Sequence, residues 1–218
     1  MELLSGIIPA LLTPFTPDNR VDEAGIDRLI AFLLDRGVDG LYLCGSTGEG
    51  LLLTEEERCQ VVEVALRAVA GRVPVIVHVG ALSTASAERL AAHAHQAGAA
   101  AVAAVPPFYF PVGKEAIQEH FRRISRAARL PLYAYNIPTA TVVNMGATLV
   151  GSLFHEGTIQ GVKYTAYDLL AFREIIETCG PGLNIFAGPD EILLPFLLMG
   201  AHGGIGTTPN CLPGLFVR

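Results

Sequence analysis

The most unusual residue of the sequence is a lysine inside a run of apolar residues. Lys163 lies within the predicted strand Thr158–Tyr164. The period-two geometry of a strand places Gly161, Lys163 and Thr165 on one face. This is the lining side of the sheet if Val162 packs outward against helices. Burial there would lower the lysine pKa and leave a neutral amine that can attack a carbonyl and form a Schiff base. The strand alone fits equally well a structural lysine held in an ion pair.

A loop with anion-binding chemistry follows the predicted strand Gly40–Cys44. The loop Gly45–Glu49 reads Gly-Ser-Thr-Gly-Glu. Its glycines let the backbone approach a ligand, and the hydroxyl groups of Ser46 and Thr47 can join backbone N–H groups in holding a carboxylate. It is not a P-loop, because the Gly-Lys-Ser/Thr ending is missing. Taken alone, the pattern is also typical of an ordinary turn between a strand and a helix.

Further polar residues come at the ends of other predicted strands. Tyr135 ends the fifth strand, where a phenol either relays protons or packs as an ordinary aromatic residue, and Tyr109 follows the fourth. Asp190 and Glu191 follow the seventh strand and either bind hydroxyl groups or cap a helix N-terminus. Thr207 follows the eighth. The six histidines show no metal-ligand spacing, so we expect no metal. We expect no cofactor either.

Short apolar runs alternate with segments of helical period along the whole chain. Such alternation predicts a parallel sheet, and strands covered on both faces read as near-continuous hydrophobic runs. The predicted strands are Gly6–Thr13, Gly40–Cys44, Val73–Val79, Ala101–Val105, Pro131–Ile137, Thr158–Tyr164, Leu183–Ala187 and Gly203–Gly206.

Seven helices are predicted between these strands, from apolar spacing and capping residues. They are marked by Ile26–Leu34 with a stop at Gly37, a capping box at Thr54–Glu57, a start at Ser83 or Thr84 with an end at Gly98, Ile117–Ile124, Met145–Phe154, Asp168–Ile176 and Glu191–Met199.

Eight strand–helix units without a linker predict one α/β domain over residues 1–218, a (β/α)₈ or TIM barrel. A doubly wound open sheet is the rival, but the glycine fingerprint expected after its first strand is absent. The chain stops at Arg218, barely into the eighth helix. We therefore expect a truncated barrel whose exposed apolar face lowers stability and favours aggregation.

The composition limits the classes of function. The 218 residues are 51% hydrophobic and 17% charged, with a net charge of −6, which excludes disorder and argues against binding to nucleic acid or an anionic membrane. No apolar run is long enough to span a membrane, and no basic region precedes the first apolar stretch as in a signal peptide. Four cysteines without a C-x-x-C pair fit a reducing cytoplasm.

These motifs together resemble the pyruvate-dependent class I aldolase family that includes N-acetylneuraminate lyases and dihydrodipicolinate synthases. The resemblance implies that Lys163 is the Schiff-base lysine, Tyr135 the proton shuttle and Ser46-Thr47 the holder of the pyruvoyl carboxylate. It also implies that Tyr109 reaches toward a neighbouring subunit in a homo-oligomer, a tetramer in this family, and that a C-terminal helical segment is missing here. The matching segments are Ala10–Phe15, Gly45–Glu49, Tyr135–Pro138, Gly161–Lys163 and Gly203–Gly206.

Within the family, one position argues against the synthases. They carry an arginine two residues after the proline of Tyr-Asn-x-Pro to bind the carboxylate of the incoming aldehyde, and here that residue is Ala140. Other features are similar to the N-acetylneuraminate lyases, in which an acidic pair and a hydroxyl bind the polyhydroxy tail of the sugar acid. These features are His78-Val79-Gly80, Phe108-Tyr109, Lys163-x-Thr165, Gly188-x-Asp190-Glu191 and Gly206-Thr207-Thr208.

The resemblance implies a lyase that cleaves a 2-keto sugar acid to pyruvate and an aldehyde, foremost N-acetylneuraminate to N-acetylmannosamine. The implied substrate-binding residues are Ser46, Thr47, Thr165, Gly188, Asp190, Glu191 and Thr207. The alternatives are a 2-keto-3-deoxygluconate aldolase, which Pro138–Thr141 resembles, and a synthase-like enzyme. A barrel that only binds a 2-keto acid is the competing class without catalysis.

Overall fold

Eight parallel strands form one sheet that closes on itself. The computed structural model describes residues 3–217, and its strand order is β1-β8-β7-β6-β5-β4-β3-β2. A bridge between Ala10 and Tyr42 joins the two ends of the sheet, where the Tyr42 N–H donates to the Pro9 carbonyl at 2.9 Å. The barrel predicted from the sequence is confirmed. Its strands are β1 Gly6–Ile7, β2 Leu41–Leu43, β3 Val75–His78, β4 Ala101–Ala104, β5 Leu132–Asn136, β6 Gly161–Tyr164, β7 Asn184–Ala187 and β8 Gly203–Gly204.

The helices cover the outside of the barrel. The longer ones begin as their sequences predict: Thr54 forms a capping box, and Ser83 and Asp168 each accept a hydrogen bond from a backbone N–H of the first turn. The helices are α1 Glu23–Asp35, α2 Glu55–Val69, α3 Thr84–Ala97, α4 Lys114–Ala128, α5 Pro138–Thr141, α6 Ala147–His155, α7 Leu169–Cys179, α8 Leu193–Leu198 and α9 Pro213–Phe216.

Several predicted boundaries are wrong. The first strand is not Gly6–Thr13 but ends at Ile7, because Pro9 has no N–H to donate to a ladder. The eighth ends at Gly204, and β6 begins at Gly161 rather than Thr158. The predicted helix Glu191–Met199 is divided into a 3-10 turn, Asp190–Ile192, and α8, while the short helix α5 has no counterpart among the predictions.

The side chains of alternate strand residues fill two separate cores. Val162 belongs to the layer between the sheet and the helices, as the strand periodicity predicts. The barrel interior is a second cluster of Ile8, Ala10, Tyr42, Ile76, Ala101, Ala103, Val105, Tyr133, Tyr135, Phe186 and Ile205. At the end where the strands begin, the Tyr133 hydroxyl donates to the Asn184 amide oxygen at 2.6 Å, and the Leu4 N–H donates to the same oxygen at 3.0 Å. This end is filled, so a ligand must enter where the strands end.

One apolar surface is left open near the end of the described chain. Leu194 and Leu198 on α8 are 66% and 80% exposed, and Leu212 and Leu215 are also exposed. Exposed apolar side chains promote association where they form a patch, and aggregation of the protein stays a prediction. Within residues 3–217, no helix combines the length and the apolar character that crossing a membrane requires.

Candidate active site

Lys163 projects into the barrel interior between two tyrosine rings. Its Nζ atom lies 4.3 Å from the ring centroid of Tyr42 and 4.3 Å from that of Tyr135, and the residue is only 4% exposed. The two rings meet edge to face, with centroids 6.1 Å apart. Among the described residues, Lys163 has no ion-pair partner of the kind that a structural lysine would need.

The surroundings shift the protonation of both groups toward reactivity. Burial lowers the pKa of Lys163, and the nearby Tyr135 and Asp190 only partly oppose this effect. Burial alone would raise the pKa of Tyr135, but the Lys163 charge and the neighbouring hydroxyl groups outweigh burial and lower it. A lysine that is more easily neutral beside a more acidic phenol is suited to nucleophilic attack and proton transfer.

His78 completes the aromatic wall of this cluster. Its ring stands edge to face with Tyr135 at 5.8 Å, and its Nδ1 lies 3.1 Å from the Cys44 carbonyl oxygen, while its buried Nε2 has no hydrogen-bond partner. Burial, followed by the charges of Arg58 and Lys163, lowers the pKa of His78 to about 3. The imidazole is therefore neutral at physiological pH.

A buried arginine holds the end of strand β3, and sequence reasoning missed it. The Arg58 guanidinium donates to the backbone carbonyls of Gly80 at 2.9 Å and His78 at 2.5 Å. The available signal was its spacing with Val62 and Ala65, which places Arg58 on the buried face of α2. The cation thus fixes the strand end that carries His78.

The loop after β2 is strained and tied to the loop after β8. Cys44 and Glu49, on either side of its turn, both adopt left-handed backbone angles, with φ of 56° and 52°. Backbone strain of this kind clusters at functional sites. Ser46 is exposed, whereas the Thr47 hydroxyl lies 2.6 Å from that of Thr207. The two predicted ligand residues therefore bind one another.

Asp190 is turned toward the backbone of the loop after β8. Its Oδ2 accepts hydrogen bonds from the N–H groups of Thr207 at 2.9 Å and Thr208 at 2.8 Å. Gly206 permits this approach, because a Cβ atom there would lie 1.5 Å from Asp190 Oδ1. The expectation that Asp190 might cap its own helix is wrong: it makes no such bond, and it caps a neighbouring loop instead.

Two further predicted residues, Thr165 and Gly188, are adjacent just beyond the ends of β6 and β7. The Thr165 hydroxyl is buried beside Tyr135, whose pKa it helps to lower, and a Cβ atom at Gly188 would lie 1.9 Å from it. Glu191 is exposed and accepts a hydrogen bond from the Tyr167 hydroxyl. Sequence reasoning missed Tyr167, which lies two residues beyond Thr165 in the bend between β6 and α7.

Tyr109 is not brought to the cluster around Lys163 within this chain. It is 81% exposed, has a left-handed φ of 74°, and stacks edge to face with Phe110 at 4.9 Å. Elsewhere, Asn210 was missed as the residue that joins the loops after β8 and β1: its Nδ2 donates to the Ala10 carbonyl at 2.7 Å. Among residues 3–217, no three His, Cys, Asp or Glu side chains are grouped so as to hold a metal ion.

Comparison with known proteins identifies the family. The sequence matches the dihydrodipicolinate synthetase family over residues 3–218. An N-acetylneuraminate lyase from Citrobacter koseri is 40% identical, over 96% of this chain and 70% of its own length. A 4-hydroxy-tetrahydrodipicolinate synthase from Syntrophus aciditrophicus is 36% identical, over 97% of this chain and 72% of its own length.

A solved structure agrees with these matches. A catalytic lysine mutant of the sialic acid aldolase from Ruminococcus gnavus superimposes with a TM-score of 0.95 at 30% identity, covering 98% of this chain and 70% of that one. An eight-stranded barrel that shares this family, this lyase relative and this aldolase structure is a pyruvate-dependent class I aldolase. The chain belongs to the dihydrodipicolinate synthetase family, and the family resemblance seen in its motifs is confirmed.

The neutral state of His78 predicts a loss of stability in acid. Between about pH 6.5 and the folded pKa of about 3, the unfolded chain binds a proton that the folded chain does not. Unfolding free energy therefore falls as pH falls through this window. Urea titrations should show that His78→Asn lowers the slope of the unfolding free energy against pH by up to about 1.4 kcal/mol per pH unit.

His120 provides a matched control outside the site. Burial lowers its pKa to about 4. His120→Asn should therefore flatten the same curve only above about pH 4. Parallel pH profiles for the wild type and His78→Asn would contradict the assignment of a neutral His78.

Proposed function

We propose that this aldolase reversibly cleaves a 2-keto sugar acid through an enamine on Lys163. The observation that carries the proposal is the buried Lys163 amine, 4.3 Å from the Tyr135 ring and without a carboxylate partner among the described residues. Binding alone requires neither a lysine inside a strand nor a tyrosine beside it. Membership of an aldolase family likewise argues against a barrel that only binds a 2-keto acid.

The chemistry begins with attack of the neutral Lys163 amine on the C2 carbonyl, and loss of water leaves a protonated imine. Tyr135 removes the proton from the C4 hydroxyl. The C3–C4 bond then breaks, its electron pair flows toward the imine nitrogen, and the aldehyde departs. Protonation of the enamine at C3 and hydrolysis release pyruvate and regenerate the amine. The lowered pKa values of both groups favour these proton exchanges at neutral pH.

The loop after β2 is our candidate for binding the substrate carboxylate. The Ser46 hydroxyl is exposed at this loop, and backbone N–H groups of a strained turn can hold an anion. Because the Thr47 hydroxyl already contacts Thr207, its contribution comes through its backbone and through positioning of the loop. Thr165, whose buried hydroxyl lies beside Tyr135, is our candidate for contacting a substrate hydroxyl group.

The particular substrate we propose is N-acetylneuraminate, cleaved to N-acetylmannosamine and pyruvate. Carboxylates at Asp190 and Glu191 suit a neutral polyol, whose hydroxyl groups donate to them. Ala140 offers no cation for the carboxylate of an aspartate semialdehyde. The 40% identity to a lyase supports this choice, whereas the 36% identity to a synthase and the likeness of Pro138–Thr141 to 2-keto-3-deoxygluconate aldolases support the alternatives.

We further propose that Tyr109 acts in a neighbouring subunit of a homo-oligomer. Its side chain is almost fully exposed on a strained backbone, away from Lys163 of its own chain. Strain of this kind persists where the surrounding structure fixes a residue for a function. A tetramer, expected from the family resemblance, would supply such a partner.

Schiff-base formation is tested by trapping. Incubation with pyruvate and borohydride should add a reduced pyruvoyl group to Lys163, because the buried amine is the nucleophile. Peptide mass spectrometry locates the modification, and Lys114, an exposed lysine, is the internal control. Finding Lys163 unmodified in correctly folded protein would contradict the proposed mechanism.

The role of Tyr135 has a separate signature. Tyr135→Phe should keep pyruvate trapping on Lys163 but lower kcat by about 10²–10⁴-fold, the usual contribution of a general acid–base group. Steady-state kinetics together with trapping separate the two effects. A near-normal kcat in Tyr135→Phe would assign the proton transfers to another group.

Substrate choice is tested by comparing kcat/KM for N-acetylneuraminate, 2-keto-3-deoxygluconate, and the condensation of pyruvate with aspartate semialdehyde. We expect N-acetylneuraminate to lead, since its hydroxyl groups can donate to the carboxylates of Asp190 and Glu191, which the carboxylate of aspartate semialdehyde would repel. A preference for 2-keto-3-deoxygluconate above about tenfold would make that aldolase the correct assignment, with Lys163 and Tyr135 in the same roles.

A further inference from the structure

A hydrogen bond at the mouth of the barrel joins two loops that carry proposed substrate contacts. Tyr167 follows β6 and Glu191 follows β7, and the Tyr167 hydroxyl donates to Oε1 of the Glu191 carboxylate. The tyrosine is 65% exposed. The bond lowers the pKa of Glu191 and raises that of Tyr167, so that the carboxylate stays ionised and the phenol stays protonated at neutral pH.

This hydrogen bond contributes little to the stability of the fold. Both side chains lie largely in water, where the gain from such an interaction is small because water competes for the same groups. Among the described residues, Glu191 forms no ion pair with a lysine, arginine or histidine. The described side chain that holds its carboxylate is the phenol of Tyr167.

Glu191 is also the acidic group with the most capacity left for a ligand. Asp190 already uses Oδ2 to hold the N–H groups of Thr207 and Thr208. A carboxylate offers about four lone-pair sites, and Tyr167 occupies one of those on Glu191. A side chain fixed before binding loses less conformational freedom when a hydroxyl group donates to it.

We propose that Tyr167 is a positioning residue that orients Glu191 to accept hydroxyl groups from the far end of a long polyhydroxy 2-keto acid. The inference rests on the proposed function, since the other end of the substrate is anchored at Lys163. Tyr167 is four residues farther along the chain, a separation of at most about 14 Å between backbone positions. A nine-carbon sugar acid extends much farther toward this pair than a six-carbon one, so the pair selects for chain length.

The first test compares two substrates in one variant of the full chain. Tyr167→Phe removes only the hydroxyl group and should raise KM for N-acetylneuraminate about threefold to tenfold, with kcat changed less than about twofold, because a hydrogen bond to a charged group is lost at a site remote from the reacting carbon. KM for 2-keto-3-deoxygluconate should change less than about twofold. Leu170→Ala is the matched control, since Leu170 is an exposed neighbour 71% accessible to solvent.

The second test asks whether Tyr167 acts through Glu191. In a Glu191→Ala background, Tyr167→Phe should have no further effect on KM, because groups that act as one unit are not additive. An unchanged KM in the single variant, an equal rise for both substrates, or a full effect in the Glu191→Ala background each overturns the proposal.

Pyruvate trapping separates this inference from the proposed function. If pyruvate is trapped on Lys163 but neither sugar acid is cleaved, the mechanism survives and the role of the Tyr167–Glu191 pair is overturned. If pyruvate is not trapped, the proposed function fails and the selection for chain length fails with it.

Discussion

Placing an amine inside a closed sheet is the constraint on which the rest of the site depends. Water does not solvate Lys163, and no carboxylate among the described residues neutralises it. The protein surrounds Nζ with the faces of Tyr42 and Tyr135, which favour the ammonium form less strongly than a paired carboxylate would. An ion pair would have been a simpler way to bury the lysine, but it would have held the amine in its unreactive, charged form.

The loops around the site are likewise joined mainly by uncharged groups. They are joined by hydrogen bonds among hydroxyl, amide and backbone groups, such as Thr47 with Thr207 and Asn210 with Ala10. The arginine–carboxylate pairs lie on the outer helices instead, for example Arg89 with Glu55 and Arg122 with Glu156. Surface pairs contribute little to stability. Because they lie outside the barrel, the charged groups nearest the site are Lys163, Arg58 and Asp190.

Arg58 shows why part of the site could not be predicted from the sequence. Arg58 lies on α2, whereas His78 lies at the end of β3. Only the packing of α2 against the sheet brings the guanidinium to the carbonyls of His78 and Gly80. Local spacing places Arg58 on a buried face but does not identify what it binds. Asp190 was misjudged for the same reason: its partners are backbone N–H groups of the loop after β8, which no pattern of residue types reveals.

The sequence by itself determined the repeating order of strands and helices and placed Lys163 and Val162 on opposite faces of one strand, because these follow from periodicity within a single element. It also placed Tyr135 at the end of its strand. The tertiary structure alone decided that Lys163 has tyrosine rings rather than a carboxylate around it, that Thr47 is bonded to Thr207, and that Tyr167 reaches Glu191. These contacts join different strand ends, and their geometry exists only once the twist and tilt of the sheet have closed the barrel.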